Sequence, residues 1–252
     1  MHNPLDLSGK LIMVTGASSG IGRATALVLS QMGARLILSG RRGEALEETA
    51  SACENPANHL CSVFDLANLD EIPKWVAQTV QVAGAPLDGA VHCAGVIKHL
   101  PLRVASASNI ASIMIPNLHA TLMMLRAVSA RNVVNQAGAS IVLVSSAAAL
   151  IASPGLATYS ASKAALESVA RCAAKELAAK RIRVNCIAPG YVKTPMLDQA
   201  ADAMNTLREI EDKQFLGLTE PGDIGMMAAY LLSSAARSIT GAQFVMDGGY
   251  TL

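Results

Sequence analysis

Aromatic side chains are nearly absent from this sequence: one Trp, four Tyr and three Phe among 252 residues, or 3%. A core without large rings must be built from Ala, Leu, Ile, Val and Met, whose small volumes let helices and sheet approach closely. Charge is scarce too, at 15% of residues with a formal net charge of +1, against 52% hydrophobic residues. No basic excess is available to neutralise phosphates, which excludes a nucleic-acid-binding domain. So apolar a composition also excludes a disordered chain. The five cysteines (Cys53, Cys61, Cys93, Cys172 and Cys186) are odd in number, scattered and without metal-ligand spacing. Free thiols in a reducing cytoplasm, and no metal site, are the expectation. Long apolar runs are missing as well. Val104–Leu125 and Asn132–Ser162 contain no Asp, Glu, Lys or Arg, but Pro, Asn, Ser, Thr or Gly interrupt both. Neither is a continuous membrane span. The opening MHNPLDLSGK has no basic region followed by an apolar stretch, so no signal peptide is expected.

What is present is alternation. Short apolar runs at 10–16, 34–40, 59–65, 88–95, 140–146, 181–190 and 242–249 read as strands. Helical patterns separate them: one marked by Ile21, Ala24, Val28 and Met32, then 44–53, 69–84, 106–130, 160–179 and 222–236. Strand and helix in strict succession specify an α/β fold, a parallel sheet covered on both faces. No linker, repeat or low-complexity segment interrupts it, so residues 1–252 are expected to form one domain. Ligands of such sheets bind at the carboxyl ends of the strands. That rule selects Gly16–Gly22, Gly40–Arg42, Asp65, Cys93–Gly95, Ser145–Ser146 and Pro189–Gly190.

TGASSGIG, Thr15–Gly22, joins the first strand to the first helix. Gly16 permits a tight turn, while Gly20 and Gly22 let backbone N–H groups and the helix start approach a pyrophosphate. At the end of the second strand an Asp or Glu would bind the 2′-hydroxyl of NAD. Here Gly40-Arg41-Arg42 stands instead. Guanidinium groups donate charge-assisted hydrogen bonds to a 2′-phosphate that an acid would repel, so NADP(H) is expected over NAD(H). Asp65 closes the third strand, placed to accept from an adenine amino group or to cap the next helix.

Tyr159 and Lys163, in YSASK, are four residues apart and share a helix face. An ammonium beside a phenol lowers its pKa toward the range useful for acid–base work. Ser146 and Ser145 both end the fifth strand, where a hydroxyl can donate to a substrate carbonyl oxygen. Spacing alone favours neither. The pattern G-x-S-x-G occurs only within the glycine loop, as Gly16-Ala17-Ser18-Ser19-Gly20, and no histidine–acid pairing accompanies Ser145 or Ser146, which argues against a serine hydrolase.

TGASSGIG, HCAG, Asn117 in PNLHATLMMLRA, VSS, YSASK, RVNCIAPGYVKTPM and ITGAQFVMDGGY occur in this order. Together they resemble the short-chain dehydrogenase/reductase family in its compact form, over nearly the whole chain. The resemblance implies a single Rossmann-type, doubly wound domain with a seven-stranded parallel sheet. It also implies a catalytic tetrad, which here is Asn117, Ser146, Tyr159 and Lys163. In it Lys163 also binds the nicotinamide ribose and Asn117 holds a water that relays protons. The implied cofactor contacts are Gly16, Ser18, Ser19, Gly20, Ile21 and Gly22 in the loop; Arg41, Arg42, Asp65 and Leu66 toward the adenosine; and His92, Ala94 and Gly95 after the fourth strand. Tyr159, Lys163, Pro189, Gly190, Val192 and Thr194 follow around the nicotinamide. One departure stands out: the family usually shows Asn-Asn-Ala-Gly where this chain has His92-Cys93-Ala94-Gly95. His92 is read as a hydrogen-bonding strap between strands and Cys93 as a small buried residue, not a nucleophile.

The resemblance in overall pattern is to 3-oxoacyl-thioester and ketone reductases. It implies NADP(H)-dependent interconversion of a ketone and a secondary alcohol, with a small-molecule substrate. An NAD-linked alcohol dehydrogenase is the second reading, and a nucleotide sensor without turnover the third. Residues 194–218 read as a lid over the substrate, with Met196, Leu197, Met204, Leu207 and Phe215 either covering it or simply packing. Helix 106–130 carries a single charge, Arg126, and it and helix 160–179 are expected to face symmetry mates in a homotetramer or homodimer.

Overall fold

The structure, a computed structural model, describes residues 3–197 and 213–252. Their strands are β1 (Leu11–Thr15), β2 (Arg35–Gly40), β3 (Leu60–Val63), β4 (Gly89–His92), β5 (Ala139–Val144), β6 (Ile182–Pro189) and β7 (Gln243–Met246). All seven expected strands are present, paired in parallel in the order β3-β2-β1-β4-β5-β6-β7. The reversal of order between β1 and β4 opens the crevice at which doubly wound sheets bind ligands.

Both faces of the sheet are covered, and the strand sequences say how. Leu11, Met13, Ala90, Ile141, Leu143, Val184 and Cys186 point to one core. Ile12, Val14, Val91, Val142, Val144 and Ile187 alternate with them and point to the other. The first core is closed by α3 (Ile72–Ala83), α5 (Ala120–Val128) and α6 (Ala157–Leu177). The second is closed by α1 (Gly20–Gln31), α2 (Gly43–Ala52) and α7 (Pro221–Leu232). Small residues set the spacing. A Cβ on Gly225 of α7 would lie 3.1 Å from the Thr25 Cα of α1, so the two helices nearly touch. The lone tryptophan, Trp75, stacks on Phe64 at 4.3 Å between centroids.

The expected helix 106–130 is not continuous. It begins as α4 (Ala107–Met114), passes through a π-helical turn at Ile115–His119 and resumes as α5. By length and composition Ala107–Val128 would suffice to cross a membrane. In the fold, Ile113 and Asn117 are buried beside the crevice, and Ala120, Met124, Ala127 and Val128 are buried in the first core.

Thr15 and His92 are register partners on β1 and β4, both buried, and their side chains share a 2.8 Å hydrogen bond through the Nδ1 of His92. The imidazole thus straps the two strands that flank the crevice. Burial, and secondarily the Lys163 charge, lower its pKa to about 3. The folded value lies below that of the unfolded chain, so the unfolded state binds the extra proton, and stability falls as pH drops below about 6.5. From pH 6.5 to 5 this linkage costs about 2 kcal/mol. His92→Asn is expected to lose less urea stability between pH 7 and pH 5 than the wild type. Equal losses would contradict a buried neutral ring.

Candidate active site

The backbone of the first loop leaves no room for side chains at Gly16 and Gly22. Gly16 and Gly20 have φ of 70° and 52°, in the left-handed region. A Cβ on Gly22 would stand 2.2 Å from the Gly16 carbonyl oxygen, and one on Gly16 would stand 2.9 Å from the Ala94 nitrogen. The loop after β1 therefore lies directly against the loop after β4. Gly20 also faces the Thr194 methyl, 3.4 Å from where its Cβ would be. Ser19, at the N-cap of α1, makes no side-chain capping bond, and the first turn carries no acid. Its N–H groups and helix dipole thus suit an anion.

Arg41 and Arg42 are exposed at the end of β2, with Arg42 at the N-cap of α2 and reaching toward the Ser18 carbonyl at 3.5 Å. Neither forms an ion pair among the described residues. Asp65 is placed differently from expectation. Strand β3 ends at Val63, and the Asp65 carboxylate accepts from the Ala67 N–H at 3.0 Å, closing a local turn. The following helical segment begins only at Leu69, so Asp65 does not cap it. Leu66 beside it is buried in the first core.

Helix α6 starts at Ala157, which puts Tyr159 and Lys163 in its first two turns, both buried. Two reciprocal bonds fix this helix to the end of β5. Lys163 Nζ donates to the Val144 carbonyl at 2.8 Å, and Ser145 Oγ donates to the Lys163 carbonyl at 2.9 Å. Ser145 is thereby committed to structure, whereas the half-buried Ser146 beside it accepts from the Ala148 N–H at 3.2 Å. The π-helical turn brings in Asn117. Its Oδ1 accepts from the Val96 N–H at 2.8 Å, and its Nδ2 donates to the Val96 carbonyl and to Ser162 Oγ at 2.9 and 3.0 Å. Ser162 Oγ in turn donates to the Tyr159 carbonyl at 2.7 Å. A Cβ on Gly95 would lie 3.2 Å from Asn117 Oδ1 and 3.3 Å from Lys163 Nζ. The four tetrad positions and the Ala94–Gly95 loop thus form one connected assembly.

Its electrostatics correct one expectation. The phenol of Tyr159 is raised by burial, with a hydrogen bond from Ser146 opposing the shift. The Lys163 ammonium lies 5.9 Å from the ring centroid and is turned to the Val144 carbonyl, so it does not bring about the net lowering that helical spacing suggests. Burial lowers Lys163 itself to about 8. Burial pushes the Cys93 thiol up to about 12, which leaves it protonated and unsuited to nucleophilic attack.

Between these elements lies a cleft of about 150 Å³, into which Ser146, Tyr159, Pro189, Gly190, Val192, Thr194 and Ile21 project. Of the expected lid residues, Met196 and Leu197 line it, and Phe215 is exposed elsewhere beside Gly249. Met204 and Leu207 fall outside the described residues. Tyr250 also lines the cleft, beside Tyr191. It closes the ITGAQFVMDGGY motif, but the motif does not reveal that Tyr159, Tyr191 and Tyr250 meet in one cleft.

Residues 16–251 match a sequence family described as enoyl-(acyl carrier protein) reductase. The chain is 34% identical to a 2,5-dichloro-2,5-cyclohexadiene-1,4-diol dehydrogenase of Sphingobium indicum, covering 98% of each chain. It is 30% identical to an NADP-dependent (R)-specific alcohol dehydrogenase of Lentilactobacillus kefiri, covering 97% of this chain and 98% of the other. A crystal structure of a short-chain type dehydrogenase/reductase from Mycobacterium marinum superposes with a TM-score of 0.89 at 30% identity, covering 98% of each chain. With its sheet order, crevice and full-length relatives in agreement, the chain belongs to the short-chain dehydrogenase/reductase family, and it is an oxidoreductase acting between CH–OH and C=O groups.

Proposed function

We propose that this protein interconverts a ketone and a secondary alcohol with NADP(H), using Tyr159 as the proton-transfer group. The observation that carries the reading is that the Ser146 hydroxyl and the Tyr159 phenol share one cleft with Ile21 and Thr194, which flank the glycine loop at Gly20. The nucleotide, when bound, supplies or accepts the hydride at the substrate carbon.

The rest of the chemistry falls to the protein. In reduction, the Tyr159 phenol gives its proton to the carbonyl oxygen as the new C–H bond forms, and the product is the neutral alcohol. A phenol raised by burial is fully protonated at neutral pH, the form this direction requires. Ser146 donates to the same oxygen and stabilises the charge that develops there. Lys163, cationic and held by the Val144 carbonyl, stabilises the tyrosinate left behind. It also faces Gly95, on the side where a ribose would lie. Asn117 positions the Val96 backbone and, through Ser162, the first turn of α6.

Arg41 and Arg42 support NADP(H) because they place positive charge, without an ion pair among the described residues, where an acid would select NAD(H), and one relative is NADP-dependent by name. The exposed Ile110 of α4 and Leu122 of α5 lie on the uncharged helical surface, which supports assembly into a homodimer or homotetramer. A cytoplasmic setting is in keeping with five free thiols.

Tyr159→Phe is expected to lower kcat/KM by about 10²–10⁴-fold while leaving nucleotide binding measurable by fluorescence titration. Retention of turnover would exclude Tyr159 as the proton donor. In steady-state assays kcat/KM for NADPH should exceed that for NADH, and Arg41→Ala should narrow the gap by roughly 10–100-fold. Equal use of both nucleotides by the wild type would refute the phosphate assignment. Multi-angle light scattering at micromolar concentration should give a dimer or tetramer mass, and a monomer would refute the assembly.

A further inference from the structure

The cleft has two features that proton and hydride transfer leave unused. The first is its lack of charge. Among the described residues lining it there is no Asp, Glu, Lys, Arg or His. Its walls are aliphatic, as at Ile97, Ile151, Leu156, Met196 and Leu197, apart from a few hydroxyl groups. A substrate carboxylate or phosphate placed there would lose its hydration with no cation among the described residues to replace it. The cleft measures about 150 Å³ and shares its wall with the expected nicotinamide contacts Pro189, Gly190, Val192 and Thr194, which favours a compact substrate.

The second feature is the pair of phenols on the wall. The Tyr191 and Tyr250 oxygens stand 3.4 Å apart, with ring centroids 5.1 Å apart and planes tilted by 52°. A hydroxyl–hydroxyl contact of that length is weak, so each oxygen retains capacity for a better partner. Burial, reinforced by Tyr250, raises the Tyr191 phenol, which keeps it a neutral donor.

Neither tyrosine is placed casually. The buried Gln214 clamps the Tyr191 backbone: Gln214 Oε1 accepts the Tyr191 N–H, and Nε2 donates to the Tyr191 carbonyl at 3.2 Å and the Gly217 carbonyl at 2.9 Å. The buried Asp247 holds the turn that carries Tyr250, accepting from the Gly249 and Thr251 N–H groups at 3.0 and 2.9 Å. Gly190 sits between the two supports, since a Cβ there would meet Gln214 Oε1 at 2.3 Å and Asp247 Cα at 2.8 Å. Two buried polar side chains from distant parts of the chain thus hold two hydroxyl groups on the wall of an otherwise aliphatic cleft.

We infer that the Tyr191–Tyr250 pair recognises a second oxygen on a compact, uncharged substrate, a cyclic hydroxyketone or diol. This rests on the carbonyl-reductase reading above. One end of the ring presents its carbonyl to Ser146 and Tyr159. A hydroxyl elsewhere on the ring accepts from one phenol and donates to the other, replacing their weak mutual contact with two shorter bonds.

The test compares 4-hydroxycyclohexanone with cyclohexanone in NADPH-dependent reduction. The wild type should favour the hydroxyketone by about tenfold in kcat/KM, the value of one well-made neutral hydrogen bond. Tyr191→Phe and Tyr250→Phe, each isosteric, should collapse that ratio toward one. An unchanged ratio in both variants would overturn the inference, as would a higher kcat/KM for a 3-oxoacyl thioester or a keto acid. Calorimetric titration of cyclohexane-1,4-diol into the NADP⁺-loaded protein separates the two readings. If no ketone is reduced but the diol binds, and binds about tenfold more weakly to Tyr250→Phe, the reductase reading falls and the recognition site stands. If the diol does not bind the wild type, the inference falls whatever is reduced.

Discussion

A single buried ammonium organises this site. Lys163 lies under the carboxyl edge of the sheet, held by the Val144 carbonyl and paired with no carboxylate among the described residues. Such a charge is tolerated only where backbone dipoles surround it. The surroundings follow from that need. Position 95 must approach within a few ångströms of Nζ, so it is glycine. Ser145 must return a bond to the lysine's own carbonyl, so the hydroxyl free to meet a ligand belongs to its neighbour. His92, in the same field, stays neutral and serves as a strap. Each of these residues reads differently once the cation is in place.

Most of the scaffold was legible in the sequence because its determinants are local. Alternation of residues such as Ile12, Met13 and Val14 assigns strand faces, and the glycines of Thr15–Gly22 fix a loop geometry that nothing else fits. What was not legible depends on contacts between distant residues. The π-helical turn exists because Asn117 must reach Val96 and Ser162 together, and helical periodicity carries no trace of that. Asp65 reads in sequence as an adenine contact or a helix cap at the end of β3, but the strand stops two residues earlier and the carboxylate closes a local turn. The phenol's shift was given the wrong sign because spacing places Lys163 near Tyr159 but cannot tell that its proton is directed to Val144. Tyr250 is not legible as a cleft residue because its motif shows neither that Asp247 turns the chain there nor that the turn packs against Gly190.

The shortage of large rings takes on meaning in this setting. A core of small aliphatic side chains brings α1 and α7 almost into backbone contact at Gly225, and it leaves aromatic residues for particular tasks. One pair, Phe64 and Trp75, fills the space beyond β3. The other, Tyr191 and Tyr250, forms part of the cleft wall.

The extra residue in the turn at Ile115–His119 has a consequence for how the long uncharged helix is shared out. One additional residue rotates all that follows by about 100°. Upstream of it, Ile113 packs with Leu100 and Tyr159 against the reaction cleft. Downstream, Ala120, Met124, Ala127 and Val128 sit in the first core, under the sheet. Removing one residue from the turn would restore a smooth helix and point one of these two sets away from its partners. A stretch that composition alone presents as a single greasy rod is thus two half-helices aimed in different directions, with Asn117 at the joint.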